Sequence, residues 1–135
     1  MQIAIISPDG QLTYQQLPEN DHDQLDQFQS IVEGDIQLVP VDFDGCDAFV
    51  NEDGMALHLP RNRTAEAVLS WPAALLGPVI ITGGVRNEVD VGLTDTQRAM
   101  LTAAMSSHGR PANAVEGFQN LDYDLSEENM RGAWE

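Results

Sequence analysis

The segment "GPVIITGG", residues 77–84, constrains the fold of this 135-residue chain more than any other. Its centre, residues 79–82, is a short run of apolar and β-branched side chains, and glycines bound the run on both sides. Such runs are typical of buried strands. Because this is the most apolar strand that the sequence predicts, we expect it at the centre of a sheet.

A hairpin is predicted at the beginning of the chain. Residues 2–6 ("QIAII") and residues 12–17 ("LTYQQL") have the composition of strands. Pro8, Asp9 and Gly10 between them supply the chemistry of a tight turn.

A second hairpin is predicted between residues 46–51 ("CDAFVN") and residues 55–59 ("MALHL"). The "NEDG" turn would join them, with Gly54 at the left-handed position. Another strand is expected at residues 35–41 ("DIQLVPV"). Residues 85–92 are interpreted as a polar loop.

Two main helices are predicted, "NDHDQLDQFQSIVEG" and "LTDTQRAMLTAAMSSHG". In the first, Asp21 is the expected N-cap with Gln24 three residues later, and Gly34 is the expected residue after the helix. In the second, Thr94 and Gln97 match a capping box, and Gly109 and Pro111 would stop the helix. The predicted apolar stripes are Leu25, Phe28, Ile31 and Val32 in the first helix, and Met100, Leu101, Ala104 and Met105 in the second.

The order of these elements predicts an α+β fold. Strands and helices mix without strict alternation, which favours a small, mostly antiparallel sheet with two main helices packed on it. A short helix at residues 66–69 precedes the central strand. We expect one domain over residues 1–110 and an acidic C-terminal extension over residues 111–135. The aromatic residues of that extension are interpreted as packing on the sheet, the alternative being a detachable recognition peptide.

The charge of the chain is strongly negative and unevenly distributed. There are 22 Asp and Glu against six Arg and no Lys, a net charge of −16. Residues 1–60 hold twelve acids and no Lys or Arg, residues 61–115 hold four acids and five arginines, and residues 116–135 hold six acids and one arginine. Such a field repels nucleic acids and anionic membranes and attracts basic partners. Two explanations stay open: an acid-biased proteome, or a surface selected to meet a basic protein.

Other features predict a soluble, cytoplasmic protein without a cofactor. The longest apolar stretch, residues 71–81, is too short to span a bilayer, and the N-terminus lacks the basic region of a signal peptide. Cys46 is the single cysteine, which excludes an intramolecular disulfide and suits a reducing compartment. The sequence has no nucleophile motif and no phosphate loop, so we predict that the protein is not an enzyme.

Short motifs in residues 1–84 resemble a known family. "IVEGDIQLVPV" is followed by "NEDG", then "LPRNR", then "GPVIITGG". This order is similar to domain-of-unknown-function family 3846, whose members show the patterns IVGG-x-IE-x-V, NE-x-G and LP-x-NR. The resemblance implies an origin in phages, plasmids or other mobile elements, and it implies no reaction. The matching residues are Ile31, Val32, Gly34, Ile36, Val39, Asn51, Glu52, Gly54, Leu59, Pro60, Asn62 and Arg63.

The acids of the first 60 residues are the candidate partner-binding groups. We hypothesise a non-enzymatic accessory protein that binds and inhibits a basic host protein, such as a nuclease or a DNA-binding regulator. Its carboxylates would imitate duplex DNA, which carries one negative charge per about 1.7 Å of axis. The candidate residues are Asp21, Asp23, Asp26, Asp42, Asp44, Asp47, Glu52 and Asp53.

A small-ligand or nucleotide site is the alternative, built from Asn51, Asn62, Arg61 and Arg63. A planar guanidinium can grip a phosphate or a carboxylate with two hydrogen bonds. We favour a structural interpretation, in which the two asparagines satisfy turn and capping hydrogen bonds. In that interpretation Arg63 pairs with a carboxylate, and Arg61 is the freer contact.

No metal site is predicted. The "DFDGCD" segment groups Asp42, Asp44 and Asp47, but an EF-hand loop needs Gly at position 6 and Glu at position 12, and Gly45 stands at position 4. A solvated acidic turn is the favoured interpretation. The three histidines lack the spacing of zinc ligands: His22, His58 and His108.

Overall fold

The computed structural model describes residues 1–107; residues 108–135 lie outside the described part. Its strands are β1 (Gln2–Ile6), β2 (Leu12–Gln16), β3 (Ile36–Val39), β4 (Asp47–Asn51), β5 (Val79–Thr82), β6 (Val85–Arg86) and β7 (Val89–Asp90). Its helices are α1 (Asp21–Val32), α2 (Arg63–Val68) and α3 (Asp95–Ser107). Over this range, none of the helices has the length and apolar character needed to cross a bilayer.

Five strands form one antiparallel sheet in the order β2-β1-β5-β4-β3. All four residues of the central strand β5 are buried, and Ile80 pairs with Ile5 on one side and with Phe49 on the other. The predicted central strand is therefore confirmed. The first hairpin is confirmed as well, since β1 pairs with β2 through a turn in which Gly10 has a φ of 93°.

Alternating side chains of the sheet build two cores, one on each face. Ile3, Ile5 and Ile80 pack with Phe28 and Val32 of α1. The opposite core joins the other side chains of β1, β4 and β5 to α2 and α3. Its buried members from these elements are Ala4, Ile6, Ala48, Val50, Val79, Ile81, Ala65, Val68 and Leu101. The sheet is thus covered by α1 on one face and by α2 and α3 on the other, an α+β fold as predicted.

The caps of α1 lie one residue away from the predicted positions. Asn20, not Asp21, is the N-cap, because its side-chain oxygen accepts a backbone N–H of the first turn at 2.8 Å. At the other end Glu33, not Gly34, has the left-handed conformation, with a φ of 60°. A glycine is required at position 34 for another reason, since a Cβ atom there would lie 2.7 Å from Nδ2 of Asn51.

The second predicted hairpin is wrong. Residues 55–59 form turns instead of a strand, and the N–H of Leu57 donates to the carbonyl oxygen of Asp53 at 2.9 Å. β4 already pairs with β3 on one edge and with β5 on the other, so neither edge can accept this segment. Gly54 does not have a positive φ; a Cβ atom there would lie 3.1 Å from Cβ of Leu76.

The predicted polar loop after β5 contains a small hairpin, formed by β6 and β7. Asn87 and Glu88 make its turn with φ values of 55° and 64°. Two positive φ values in a two-residue turn match the twist of the flanking strands. The N–H of Gly83 donates to Val91 at 2.8 Å, and the N–H of Val91 donates to Gly84 at 2.9 Å, so the hairpin continues from the end of β5.

The capping box of α3 is confirmed. The N–H of Thr94 donates to Oε1 of Gln97 at 2.8 Å, and the N–H of Gln97 donates to Oγ1 of Thr94 at 3.0 Å. Leu101 is buried as predicted, whereas Met100 is exposed. The predicted stop at residues 109–111 and the acidic extension lie outside the described residues.

Candidate functional site

The eight acids predicted to bind a partner lie in three separate places. Asp21, Asp23 and Asp26 are on α1, Asp42, Asp44 and Asp47 are in the β3–β4 loop and at the start of β4, and Glu52 and Asp53 follow β4. Because a strand rises about 3.3 Å per residue, the two ends of β4 alone separate Asp47 from Glu52 by about 17 Å. The structure does not unite the eight residues in one surface.

One group of exposed carboxylates lies on α1 and just beyond its two ends. Residues 19–35 contain six acids and no Lys or Arg, and all six acids are exposed. Phe28 and Val32 hold the opposite side of the helix against the sheet. We name the exposed acids the α1 surface: Glu19, Asp21, Asp23, Asp26, Glu33 and Asp35.

Arginines are concentrated on the other side of the sheet. Arg61 precedes α2, Arg63 begins it, and Arg98 lies on α3. Arg61 forms an ion pair with Glu66, and Arg98 forms one with Asp95. These two arginines therefore pair with carboxylates of their own layer, and the fold separates them from the α1 surface.

Asn51 is a structural residue that ties α1 to β4. It is 4% exposed, and its Nδ2 donates to the carbonyl oxygen of Val32 at 2.9 Å. Its Oδ1 accepts from the N–H of Asp53 at 2.7 Å. The backbone adds a second tie here, since the N–H of Glu52 donates to Asp35 at 2.8 Å. With these bonds made, the amide of Asn51 serves the fold, as the favoured interpretation expected.

Asn62 joins three segments and is fully buried. Its Nδ2 donates to the carbonyl oxygens of Ile6 at 2.8 Å and Gly77 at 2.9 Å. Its Oδ1 accepts from the N–H of Ala65 at 3.0 Å, which makes Asn62 the N-cap of α2. Asn62 is therefore also a structural residue, which agrees with the favoured interpretation.

The prediction that Arg61 is the freer contact is wrong. Its Nε donates to Oε2 of Glu66 at 2.8 Å and its Nη2 donates to Oε1 at 2.8 Å, a bidentate pair. The same Glu66 accepts from the N–H of Leu75 at 2.9 Å. The pair thus fastens the segment before α2 to the segment that leads into β5. Sequence reasoning missed it because it assigned the carboxylate partner to Arg63 and left Arg61 as the freer contact.

Arg61 and Arg63 also line a shallow cleft of about 440 Å³. Its remaining lining comes from Glu66 and Ala67 of α2 and from Trp71 and Pro72 after it. Asn51 lines a different cleft, and Asn62 is enclosed in the core. The four residues proposed for the ligand site are therefore not brought together, although the two arginines are neighbours beside an indole ring.

A second and less open pocket, of about 430 Å³, lies between the N-terminal end of α1 and the β6–β7 hairpin. Gln24 lines it and is 3% exposed. Its Nε2 donates to the carbonyl oxygens of Pro18 at 2.8 Å and Asp90 at 2.9 Å. Sequence reasoning read Gln24 as part of a cap. The missed signal is the spacing of Gln24 from two apolar residues. Positions 24, 28 and 32 lie on one face of a helix, so Gln24 shares the buried face of Phe28 and Val32.

Asp90 is the carboxylate most affected by its surroundings. It is half-buried beside this pocket, and its Oδ1 accepts from Oγ1 of Thr82 at 3.2 Å. Burial raises the pKa of Asp90 above its ordinary value; the hydrogen bond from Thr82 opposes the shift, and the charge of Asp47 adds to it.

The residues considered for metal or thiol chemistry lie apart. Cys46 is buried, and burial, with smaller contributions from Asp44 and Asp47, raises the pKa of its thiol to about 11. His22, Asp23 and Asp26 place ligand atoms within 4.8 Å of one another, and all three side chains are exposed. Exposed acidic groups of this kind are usually solvated, and no other feature of the described residues distinguishes this group as a cation site.

The fold and these sites define a small acidic protein of the α+β class, with a five-stranded sheet between one acidic helix and a pair of helices that carry arginines. The chain belongs to the family described as a domain of unknown function (DUF3846), whose model matches residues 1–106. The match extends beyond the motifs of residues 1–84 and includes nearly all of α3. No curated protein and no solved structure matches the chain.

Proposed function

We propose that this protein is a non-enzymatic accessory protein, encoded by a mobile element, that binds and inhibits a basic host protein through the α1 surface. The observation that supports the proposal is the group of six exposed carboxylates in residues 19–35, a segment that contains no arginine. Arg86 of the β6–β7 hairpin lies beside the N-terminal end of this group. A basic partner would approach the α1 surface without meeting Arg61 or Arg98, which are paired on the other side.

The charge spacing of the α1 surface is close to that of a nucleic acid strand. Asp21, Asp23 and Asp26 extend over about 8 Å of the axis of α1 at a helical rise of 1.5 Å per residue, so these three carboxylates are about 4 Å apart on average along the axis. Phosphates in one strand of duplex DNA are about 3.4 Å apart along the axis. A DNA-binding cleft would therefore meet a similar linear charge density, and the negative field would accelerate association at low salt.

The experiment compares two variants with the same change of net charge. Asp21→Asn, Asp23→Asn and Asp26→Asn together neutralise half of the α1 surface. Asp42→Asn, Asp44→Asn and Asp53→Asn together neutralise three acids elsewhere. Both triple variants and the unmodified protein are titrated against a panel of purified bacterial nucleases and DNA-binding regulators at 50 and 300 mM salt, with displacement of labelled duplex DNA as the readout.

The proposal predicts that at least one basic protein binds, releases its DNA and loses affinity steeply with salt. The α1 variant should lose at least about tenfold in affinity at 50 mM salt, and the control variant distinctly less. Equal losses of affinity in the two variants would mean that binding depends only on net charge. That result would favour the explanation by an acid-biased proteome. Absence of binding across the panel, or binding that ignores salt, would refute inhibition by charge imitation.

A small anionic ligand with an aromatic ring is the second candidate function. The specific observation is the cleft in which Arg61 and Arg63 lie beside Trp71. A phosphate would contact the guanidinium groups and a nucleobase would stack on the indole ring. Thermal shift against a nucleotide panel, repeated with Arg63→Ala and Trp71→Ala, tests it. The candidate fails if no nucleotide shifts the melting temperature, or if a shift survives both substitutions.

A further inference from the structure

The pocket between α1 and the β6–β7 hairpin has both an apolar wall and a set of polar groups. The segment before α1 and the strand β7 with its following residue supply the apolar wall, which includes Leu17, Val89 and Val91. The polar groups belong to Glu19, Gln24, Arg86 and Asp90. A volume of about 430 Å³ is sufficient for one large side chain or a small molecule.

Gln24 indicates that the pocket is built to receive a hydrogen-bond donor. Both hydrogens of its amide are used, in bonds to Pro18 and Asp90 that fix the plane of the group. Among the described residues its carbonyl oxygen accepts no hydrogen bond, and it is not one of the enclosed atoms, although the residue as a whole is only 3% exposed. A fixed and accessible acceptor at a pocket wall favours a ligand that donates a hydrogen bond.

The walls of this pocket are held in place by backbone hydrogen bonds. The N–H of Leu17 donates to Met1 at 2.9 Å, and the N–H of Leu93 donates to Gln2 at 2.8 Å. Gly92 fits tightly against β1, because a Cβ atom there would lie 2.8 Å from the backbone nitrogen of Gln2. Both sides of the pocket are therefore attached to the start of β1, so a ligand would meet a preformed site.

The electrostatics of the pocket favour a cation. Glu19 and Asp90 contribute two carboxylates to its lining, against the guanidinium of Arg86 and the amino group of Met1. Asp21 and Asp23 follow in the first turn of α1 and add negative charge nearby. A cation with several donors and an apolar stem would satisfy the acceptor, the carboxylates and the apolar wall together. Arginine has this chemistry, with five N–H donors on a planar head and an aliphatic stem.

We propose that this pocket is the anchor site for an arginine side chain of the basic partner. The guanidinium donates to Oε1 of Gln24 and to the carboxylates of Glu19 and Asp90, and the stem contacts Leu17, Val89 and Val91. Anchors of this kind supply most of the binding energy in many interfaces, and arginine is enriched among them. This assignment rests on the proposed function, since it names the group by which a basic protein engages the end of the α1 surface.

The test uses a small probe so that it does not depend on the identity of the partner. Acetyl-glycyl-arginyl-glycine amide is titrated into ¹⁵N-labelled full-length protein, and the side-chain amide signal of Gln24 is followed by NMR. The same peptide with citrulline in place of arginine is the ligand control, because citrulline has nearly the same shape and no charge. The proposal predicts saturable shifts of Gln24 and of residues 86–91 with arginine, and affinity at least about fivefold weaker with citrulline.

Three single substitutions test whether the pocket binds a cation or an anion. Glu19→Gln should weaken the binding of the arginine peptide by about threefold to fivefold. The matched control Glu88→Gln removes the same charge from an exposed hairpin residue outside the pocket lining and should change affinity less than twofold, at the level expected of an exposed charge. Arg86→Gln should strengthen binding, since it removes a guanidinium from the lining. An anion site would show the reverse, weaker binding in Arg86→Gln, and that result would overturn the proposal.

The outcomes separate this proposal from the proposed function. Unchanged Gln24 signals with both peptides, or equal affinity for arginine and citrulline, overturn the pocket assignment. If the pocket assignment is overturned and the α1 triple variant nevertheless has a lower affinity for the basic protein, the proposed function stands without the anchor. If the peptide binds as expected while no basic protein of the panel binds, the pocket assignment stands and the proposed function fails.

Discussion

Replacing Asn62 should damage the fold more than replacing any exposed polar residue of the family motifs. In Asn62→Ala, the carbonyl oxygens of Ile6 and Gly77 each lose a donor, and the N–H of Ala65 loses its capping acceptor. The site is fully buried, so water does not replace these partners. At about 1–3 kcal/mol for each unsatisfied buried group, the three losses together should lower the free energy of unfolding by about 3–5 kcal/mol, taking the low end of the range.

This loss is a large part of the stability of a domain of this size. Domains are stable by about 5–15 kcal/mol, and 1 kcal/mol shifts the melting temperature of a domain of 60–100 residues by about 4–8 °C. Asn62→Ala should therefore melt at least about 12 °C below the unmodified protein, or be unfolded at 25 °C. Urea denaturation followed by far-ultraviolet circular dichroism measures the free energy.

Asn20→Ala is the matched control for this prediction. Asn20 caps α1 with one backbone hydrogen bond at an exposed position, so its loss should cost about 1 kcal/mol. If Asn62→Ala costs no more than Asn20→Ala, the three hydrogen bonds do not carry the stability assigned to them. If Asn62→Ala keeps its stability and loses a ligand instead, Asn62 belongs to a binding site and its structural assignment is wrong.

Three further predictions concern buried positions. Gly34→Ala should destabilise the protein by about 1–3 kcal/mol in urea denaturation, because the new Cβ would lie 2.7 Å from Nδ2 of Asn51; an unchanged midpoint would contradict the close approach. Burial raises the pKa of Asp90 in the folded state, so its ionisation opposes folding, and stability should fall as the pH rises through that pKa. Asp90→Asn should therefore melt higher than the unmodified protein at pH 7, and calorimetry should show this gain fading below about pH 4, where both states are protonated; a gain independent of pH would refute it. Burial raises the pKa of Cys46 from 9.0 to about 11, so at pH 8 its thiol should react with a disulfide reagent about 100-fold more slowly than in the urea-unfolded chain.

The parts of the fold that sequence reasoning predicted correctly are those fixed by neighbouring residues. The capping box of Thr94 and Gln97 and the turn at Gly10 need only side chains within four residues of one another. The apolar run of β5 predicts burial on both sides by itself. These signals do not depend on where the rest of the chain lies.

The incorrect parts depended on residues far apart in the chain. The segment at residues 55–59 has strand-like composition, but the edges of β4 are taken by β3 and by β5, which lies about 30 residues further along the chain. Arg61 is a different case, because its partner Glu66 follows it by only five residues, and the sequence analysis had assigned a carboxylate partner to Arg63 instead. Gln24 is a polar residue that sequence alone does not place in the interior. Its side chain contacts Asp90, 66 residues later in the chain, to which it donates a hydrogen bond. For residues 55–59 and for Gln24, the deciding contact is absent from the local pattern.

The residues of the family motifs are better explained by contacts that hold the elements of the fold together than by a binding site. Asn51 holds the end of α1, Gly34 makes room for that amide, and Asn62 joins β1, α2 and the entry to β5. A family model built on such residues identifies the architecture without describing what the architecture binds. Features that distinguish this chain are therefore expected outside the motifs, and four of the six acids of the α1 surface meet that condition: Glu19, Asp21, Asp23 and Asp26. Substitutions at the motif asparagines should accordingly act first on stability, whereas substitutions on the α1 surface should act on binding and leave the melting temperature nearly unchanged.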